Sequence, residues 1–281
     1  MVISINRESK LNALTIETLK EIKEAVDEAQ TNDDVHGMIL TGVGEKAFAA
    51  GADISEFAHF NTEQATRMSA DGHDVMNSIE NGNKIVIAAV NGFALGGGCE
   101  LAMACHLRVA SSNAKFGQPE VNLGVPPGYG GTQRLVQLIG KGKAVELLLT
   151  GDAIDAQTAL SLGLTNKVVE SADLLNEAKA LLKKICSKSP SAVNKVIKCV
   201  NDYFRPNVNG MQREIYEFGE AFETADFLEG TDAFLNKRKP NFRAHYYIWR
   251  SSRKLRSWLS YFKNHNRRRI GKRCSRKRQA F

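Results

Sequence analysis

The feature that most restricts the fold is the run at residues 84–90 (KIVIAAV), with the glycine cluster at 91–98 and the helix-forming stretch at 99–104 behind it. A continuous apolar run this short suits a parallel strand buried on both faces, since a strand with one wet face would alternate. Other stretches repeat the strand–helix theme. Residues 2–6 (VISIN) and 37–41 (GMILT) read as strands, as do 106–110. Residues 15–30 place Leu19, Ile22, Val26 and Ala29 at helical spacing, with Thr15 and Thr18 at a capping start and Glu17 and Glu21 near the N-terminus. Residues 61–80 read as a helix with Ala65, Met68, Val75 and Ile79 on one side, and 42–53 as a loop. Alternating strands and helices make the chain α/β. Beyond residue 140 the stretches 144–149, 156–162, 174–186, 191–203 and 212–222 are helical, punctuated by Gly151, Gly163 and Pro190. No internal repeat is visible.

Composition excludes several classes. The chain has 281 residues, 43% hydrophobic and 25% charged, which rules out disorder over most of its length. Its longest apolar stretches fall far short of the ~20 residues of a membrane-spanning helix, and its start has no signal-peptide pattern. Five cysteines, an odd number without a CxxC, argue against zinc ribbons and disulfide frameworks and for reduced thiols in a cytoplasm. The six histidines lack metal-ligand spacing, so no metal is expected. The net charge of +7 is uneven: residues 246–281 hold 13 Lys/Arg and no acid, leaving 25 basic and 31 acidic residues before them, a net −6. The chain divides into a core at 1–190, a helical region at 191–245 and a basic tail at 246–281, the tail being expected to be disordered or non-native.

Chemistry concentrates in four segments. Glycines 96–98 follow a buried strand and precede a helix, where free N–H donors and the helix dipole can hold an oxyanion or a phosphate. The same triplet also serves as a plain tight turn. Glu100 and Glu120 each lie among apolar residues, where a carboxyl pKa rises. Two such groups can divide acid and base roles; each can equally be a solvated surface glutamate. Gly128, Gly130 and Gly131 precede a helix at 132–139, a second helix N-terminus available to a site.

Together these segments resemble the enoyl-CoA hydratase (crotonase) family. The resemblance runs from about residue 3 to 243 and rests on Asn6-Arg7 with Asn12-Ala13-Leu14, AFAAGADI at 47–54, AAVNGFALGGGCELAMAC at 88–105, FGQPEVNLGVPPGYGGTQRL at 116–135, LTGDAIDAQTALSLGL at 149–164 and FLNKRKPNF at 234–242. It implies a ββα superhelix with a helical C-terminal trimerisation region, assembled as a homotrimer or dimer of trimers. It also implies an acyl-CoA substrate, with coenzyme A as part of the substrate and no separate cofactor. The implied reaction is reversible syn hydration of a short- to medium-chain trans-2-enoyl-CoA. Glu100 is implied as the base toward water and Glu120 as the acid toward the α-carbon. The oxyanion hole falls to the N–H groups of Ala52 and Gly97. Further substrate contacts fall on Ala50, Asp53, Ile54, Gly128, Phe234 and Lys237, the last two reaching a neighbouring subunit's CoA. Gln118 either orients a carboxylate or makes a structural hydrogen bond.

The chain departs from the family in places. Glu8 follows Arg7 where proline is common, and Ser55 stands where many members carry a base. The first strand lacks the usual preceding one, leaving an unpaired edge, and the tail extends past the usual end near residues 242–245. Phe57, Phe60 and Phe222 either shape an acyl pocket or fill the core, and the core is the expectation for each. The alternatives are enoyl-CoA isomerase chemistry on the same fold, and nucleic-acid binding through the tail.

Overall fold

The computed structural model describes residues 1–242; the basic tail at 246–281, with its expected disorder, its Cys274 and its nucleic-acid reading, lies outside the described residues. Among the described residues nine strands form two sheets. They are β1 Val2–Ile5, β2 Met38–Gly42, β3 Ala47–Ala50, β4 Val86–Val90, β5 Phe93–Leu95, β6 Leu107–Ser111, β7 Lys115–Gly117, β8 Ala153–Asp155 and β9 Lys167–Val169. The five-stranded sheet runs β1-β2-β4-β6-β9, all parallel. The four-stranded sheet runs β3-β5-β7-β8, parallel except for its last pair. Strand β1 is an edge of the larger sheet, as expected.

The helices are α1 Ile16–Thr31, α2 Ile54–Phe57, α3 Thr62–Glu80, α4 Gly97–Ala104, α5 Gly131–Ile139, α6 Lys141–Thr150, α7 Ala156–Ser161, α8 Leu174–Cys186, α9 Pro190–Tyr203, α10 Gly210–Ala221 and α11 Ala225–Leu235. Successive pairs β2/β3, β4/β5 and β6/β7 each place one strand in each sheet, and a helical segment follows each pair. This is the ββα spiral of the expected fold.

Strand β4 bears out the reading of its apolar run. Val86, Ala88 and Val90 face the main core with Met38, Leu40 and Phe48. Ile87 and Ala89 face the other way, with Ile39, Val109 and Leu174 and Ala178 of α8. Helix α1 is capped where expected: the Thr15 hydroxyl accepts the Thr18 N–H at 3.0 Å. Helix α3 opens with a reciprocal capping box between Asn61 and Gln64.

Two expectations need correction. The stretch 42–53 is not all loop, because it contains β3, and the glycine cluster at 91–98 contains β5. These strands are three or four residues of mostly small side chains, too short to show alternation. Two further strands, β8 and β9, interrupt the mostly helical region. Phe57, Phe60 and Phe222 do not enter the core: the first two are half-buried and Phe222 is exposed.

Candidate active site

Two asparagines fix the loop between β2 and β3. The Asn12 amide, 1% exposed, donates to Val43 O at 2.9 Å and Ala47 O at 2.8 Å. Asn91 accepts the Gly42 N–H and donates to Gly44 O. Leu14 then brackets Ala52: its N–H donates to Gly51 O, and its carbonyl accepts the Asp53 N–H, both at 2.8 Å. In extended backbone adjacent residues point opposite ways, so the Ala52 N–H turns away from Leu14. Its nitrogen lies 3.6 Å from the place a Cβ on Gly97 would take.

Gly97 opens α4. The turn before it needs Gly96, whose φ is 49°. Helix α4 also packs directly on β3: a Cβ on Gly98 would lie 1.9 Å from the Ala49 carbonyl oxygen. At the other end of α4, the buried Arg108 guanidinium donates to the carbonyls of Ala102, Met103 and Cys105. A cation there complements the helix dipole and satisfies orphan carbonyls. Among the described residues, the N–H groups of Ala52 and Gly97 donate to no protein acceptor.

Glu100, on the first turn of α4, is 1% exposed. Its Oε1 accepts the N–H groups of Tyr129 and Gly131, each at 2.7 Å. Burial pushes its carboxyl up to about 7; the two N–H donors oppose that rise, and the nearby Glu120 charge adds to it. Glu120 lies in a 3-10 turn, Pro119–Leu123, behind Pro119. Its Oε1 lies 3.0 Å from the place a Cβ on Gly96 would take, and its buried Oε2 has no partner among the described residues. Burial raises its pKa too. Glu100, Glu120, Ala52 and Gly97 are therefore brought to one place.

The remaining expected residues divide. Gln118 donates to Gly96 O at 3.1 Å, the hydrogen bond of one of its two readings, while its buried Oε1 has no partner among the described residues. Asp53 is engaged within the protein: Arg7 pairs with its carboxylate at 3.0 Å and Ser55 donates to it, which lowers its pKa. Ala50 lies in β3 with its N–H on Leu11 O, and Ile54 is exposed at the start of α2. The carbonyl of Gly128 accepts from Ser69. The helix that follows it begins at Gly131 and directs its first N–H at the Glu100 carboxylate. Phe234, 83% exposed, and Lys237 stand at the end of α11, outside this cluster. What sequence reasoning missed is the cradle of Tyr129 and Gly131 N–H groups, because backbone donors leave no side-chain signature. Among the described residues no group of three or more His, Cys, Asp and Glu side chains is placed to share a metal ion, and no helix is long and apolar enough to cross a membrane.

Comparison with known proteins shows the family. The family model for enoyl-CoA hydratase/isomerase matches residues 1–245. The chain is 48% identical over 239 residues to the short-chain-enoyl-CoA hydratase of Clostridium acetobutylicum, covering 85% of this chain and 92% of that protein. It is 49% identical over 242 residues to the crotonyl-CoA hydratase of Syntrophomonas wolfei, covering 86% and 93%. The crystal structure of enoyl-CoA hydratase from Bacillus anthracis superposes with a TM-score of 0.82 at 39% identity, covering 87% of this chain and 95% of that one. A buried and a half-buried carboxylate beside two unengaged N–H groups, on a ββα spiral that aligns with these proteins over nearly their whole length, lead to one assignment: the chain belongs to the enoyl-CoA hydratase/isomerase family.

Proposed function

We propose that this chain is an enoyl-CoA hydratase that adds water syn across the double bond of short trans-2-enoyl-CoA thioesters. The observation that carries the reading is the convergence of the buried Glu100 and the half-buried Glu120 on the N–H groups of Ala52 and Gly97. Those donors bind the thioester oxygen and stabilise the enolate that forms on it. Glu100, whose anion is favoured by two N–H bonds, takes a proton from water as the water oxygen bonds to the β-carbon. Glu120, raised in pKa and without a protein donor on Oε2, gives its proton to the α-carbon. Overall, one O–H bond of water and the C=C π bond break while one C–O and one C–H bond form. A proton passing from Glu100 to Glu120 then restores the starting state.

The names of the two bacterial relatives support a short acyl chain. Coenzyme A enters as part of the substrate. Exposed Phe218, Leu228, Phe234 and Leu235 on α10 and α11 support assembly as a trimer, or a pair of trimers. Within it Phe234 and Lys237 meet a neighbour's CoA. Free Cys99, Cys105, Cys186 and Cys199 fit a reducing compartment such as the cytoplasm.

The test is incubation with crotonyl-CoA while following the conjugated enoyl-thioester absorbance. The expected result is rapid loss with formation of 3-hydroxybutyryl-CoA. Migration of the double bond in a 3-enoyl-CoA without hydration would contradict it in favour of an isomerase.

A further inference from the structure

We propose that Arg134 is the positioning residue of this site: held by Glu80 and Asn77, it fixes the Tyr129–Gly131 turn so that two N–H groups stay aimed at Glu100. The inference rests on the hydratase reading and deepens it. Arg134 lies near the start of α5 and is 6% exposed. Its Nη2 contacts Glu80 Oε2 at 2.9 Å and Asn77 Oδ1 at 3.1 Å, both on the last turn of α3, and its Nε lies 3.3 Å from the same Glu80 oxygen. Its Nη1 donates to the Tyr129 carbonyl at 2.9 Å.

Tyr129 is thus held from both sides, its N–H by Glu100 and its C=O by Arg134. Gly130 continues the clamp. Its φ is 101°, and a Cβ there would lie 2.3 Å from Arg134 Nη1. The turn cannot shift without giving up the arginine or the glutamate. A planar guanidinium can serve Glu80 and the Tyr129 carbonyl together; a lysine ammonium in its place lacks that fixed fork.

The groups facing Glu100 are Glu120 and Arg134, with Tyr129 and Cys99 beside it. Burial pushes both the Tyr129 phenol and the Cys99 thiol up to about 12, so neither titrates near neutrality. His73 borders Gly130 and is held below its ordinary value by burial and by Arg134. A His73→Gln control separates its titration from that of Glu100. Arg134 also lines a cleft of about 530 Å³ together with Asn77, Glu80, Met103 and Cys105, a volume larger than that of a guanidinium ion.

The experiment compares the full-length protein with Arg134→Ala, Arg134→Lys and Glu80→Gln. It measures kcat and KM for crotonyl-CoA against pH, with and without millimolar guanidinium. It also measures amide hydrogen exchange at Tyr129 and Gly131. We expect kcat to fall about 10- to 100-fold with KM nearly unchanged, less than the roughly 10²–10⁴-fold that a positioned acid or base itself contributes. The acidic limb should move to higher pH, because Glu100 loses a neighbouring cation and ordered N–H donors. Guanidinium should restore part of the rate in Arg134→Ala, and the two amides should exchange faster than in the parent. Unchanged exchange and an unmoved limb in folded variants would overturn the proposal. If Arg134→Ala does not fold, Arg134→Lys and Glu80→Gln carry the same comparison. Because exchange is independent of turnover, a parent inactive on crotonyl-CoA would overturn the hydratase reading and leave the positioning claim to be decided by the amides.

Discussion

At the scale of single residues, Glu100 is where function opposes stability. Its folded pKa of about 7 lies above the ordinary carboxyl value of 4.5, so the folded state holds the proton more tightly than the unfolded chain. Stability therefore falls as pH rises from about 4.5 to 7, and the ionised side chain costs about 3 kcal/mol above that window. Glu100→Gln can still accept both N–H bonds through its amide oxygen. It should raise the melting temperature at pH 8 and change it little at pH 4. Thermal melts at the two pH values check this, and equal effects at both would contradict it. Activity carries the same titration: kcat/KM should decline as pH drops below about 7, when the base becomes protonated. The sequence alone showed two glutamates in apolar settings. That they meet was legible only through family resemblance, since twenty residues and a complete β6/β7 pair separate them in the chain.

At the scale of elements, helix α4 is the part on which the site is built. It brings Gly97 and Glu100 to the site at one end and is held by Arg108 at the other. Gly98 lets it lie against β3, so Gly98→Ala must push backbone from backbone. A loss of about 1–3 kcal/mol is expected, with a steep fall in hydration because Ala52 and Gly97 separate. Gly142 of α6 is the contrast: a Cβ there meets nothing within 4 Å. Gly142→Ala should stabilise by about 0.5–1 kcal/mol through helix propensity. Denaturant titration of both variants decides whether close approach is what Gly98 provides. Long helices were legible because their period spans many residues; α8 begins and ends at the residues expected from sequence. The short strands β3, β5 and β7 were not, because three or four residues carry no period. Nor was the repeat visible, since successive ββα turns share backbone geometry and not side chains.

At the scale of the whole molecule, the described chain leaves large apolar side chains on its C-terminal helices exposed, among them Tyr203, Met211, Phe218, Leu228 and Phe234. Such a surface is characteristic of a subunit interface. On the proposed trimeric assembly, Leu228→Asp should lower the solution mass from a multiple of three chains toward one; an unchanged mass would place the interface elsewhere. The family match ends at residue 245, so a chain trimmed there should retain hydratase activity. The most direct measurement is the rate of crotonyl-CoA hydration by the parent beside Glu100→Gln and Glu120→Gln, each verified as folded. Two cooperating carboxylates predict a fast parent and a loss of about 100-fold or more in kcat for each variant. Near-parental turnover by either variant would contradict the shared acid–base role.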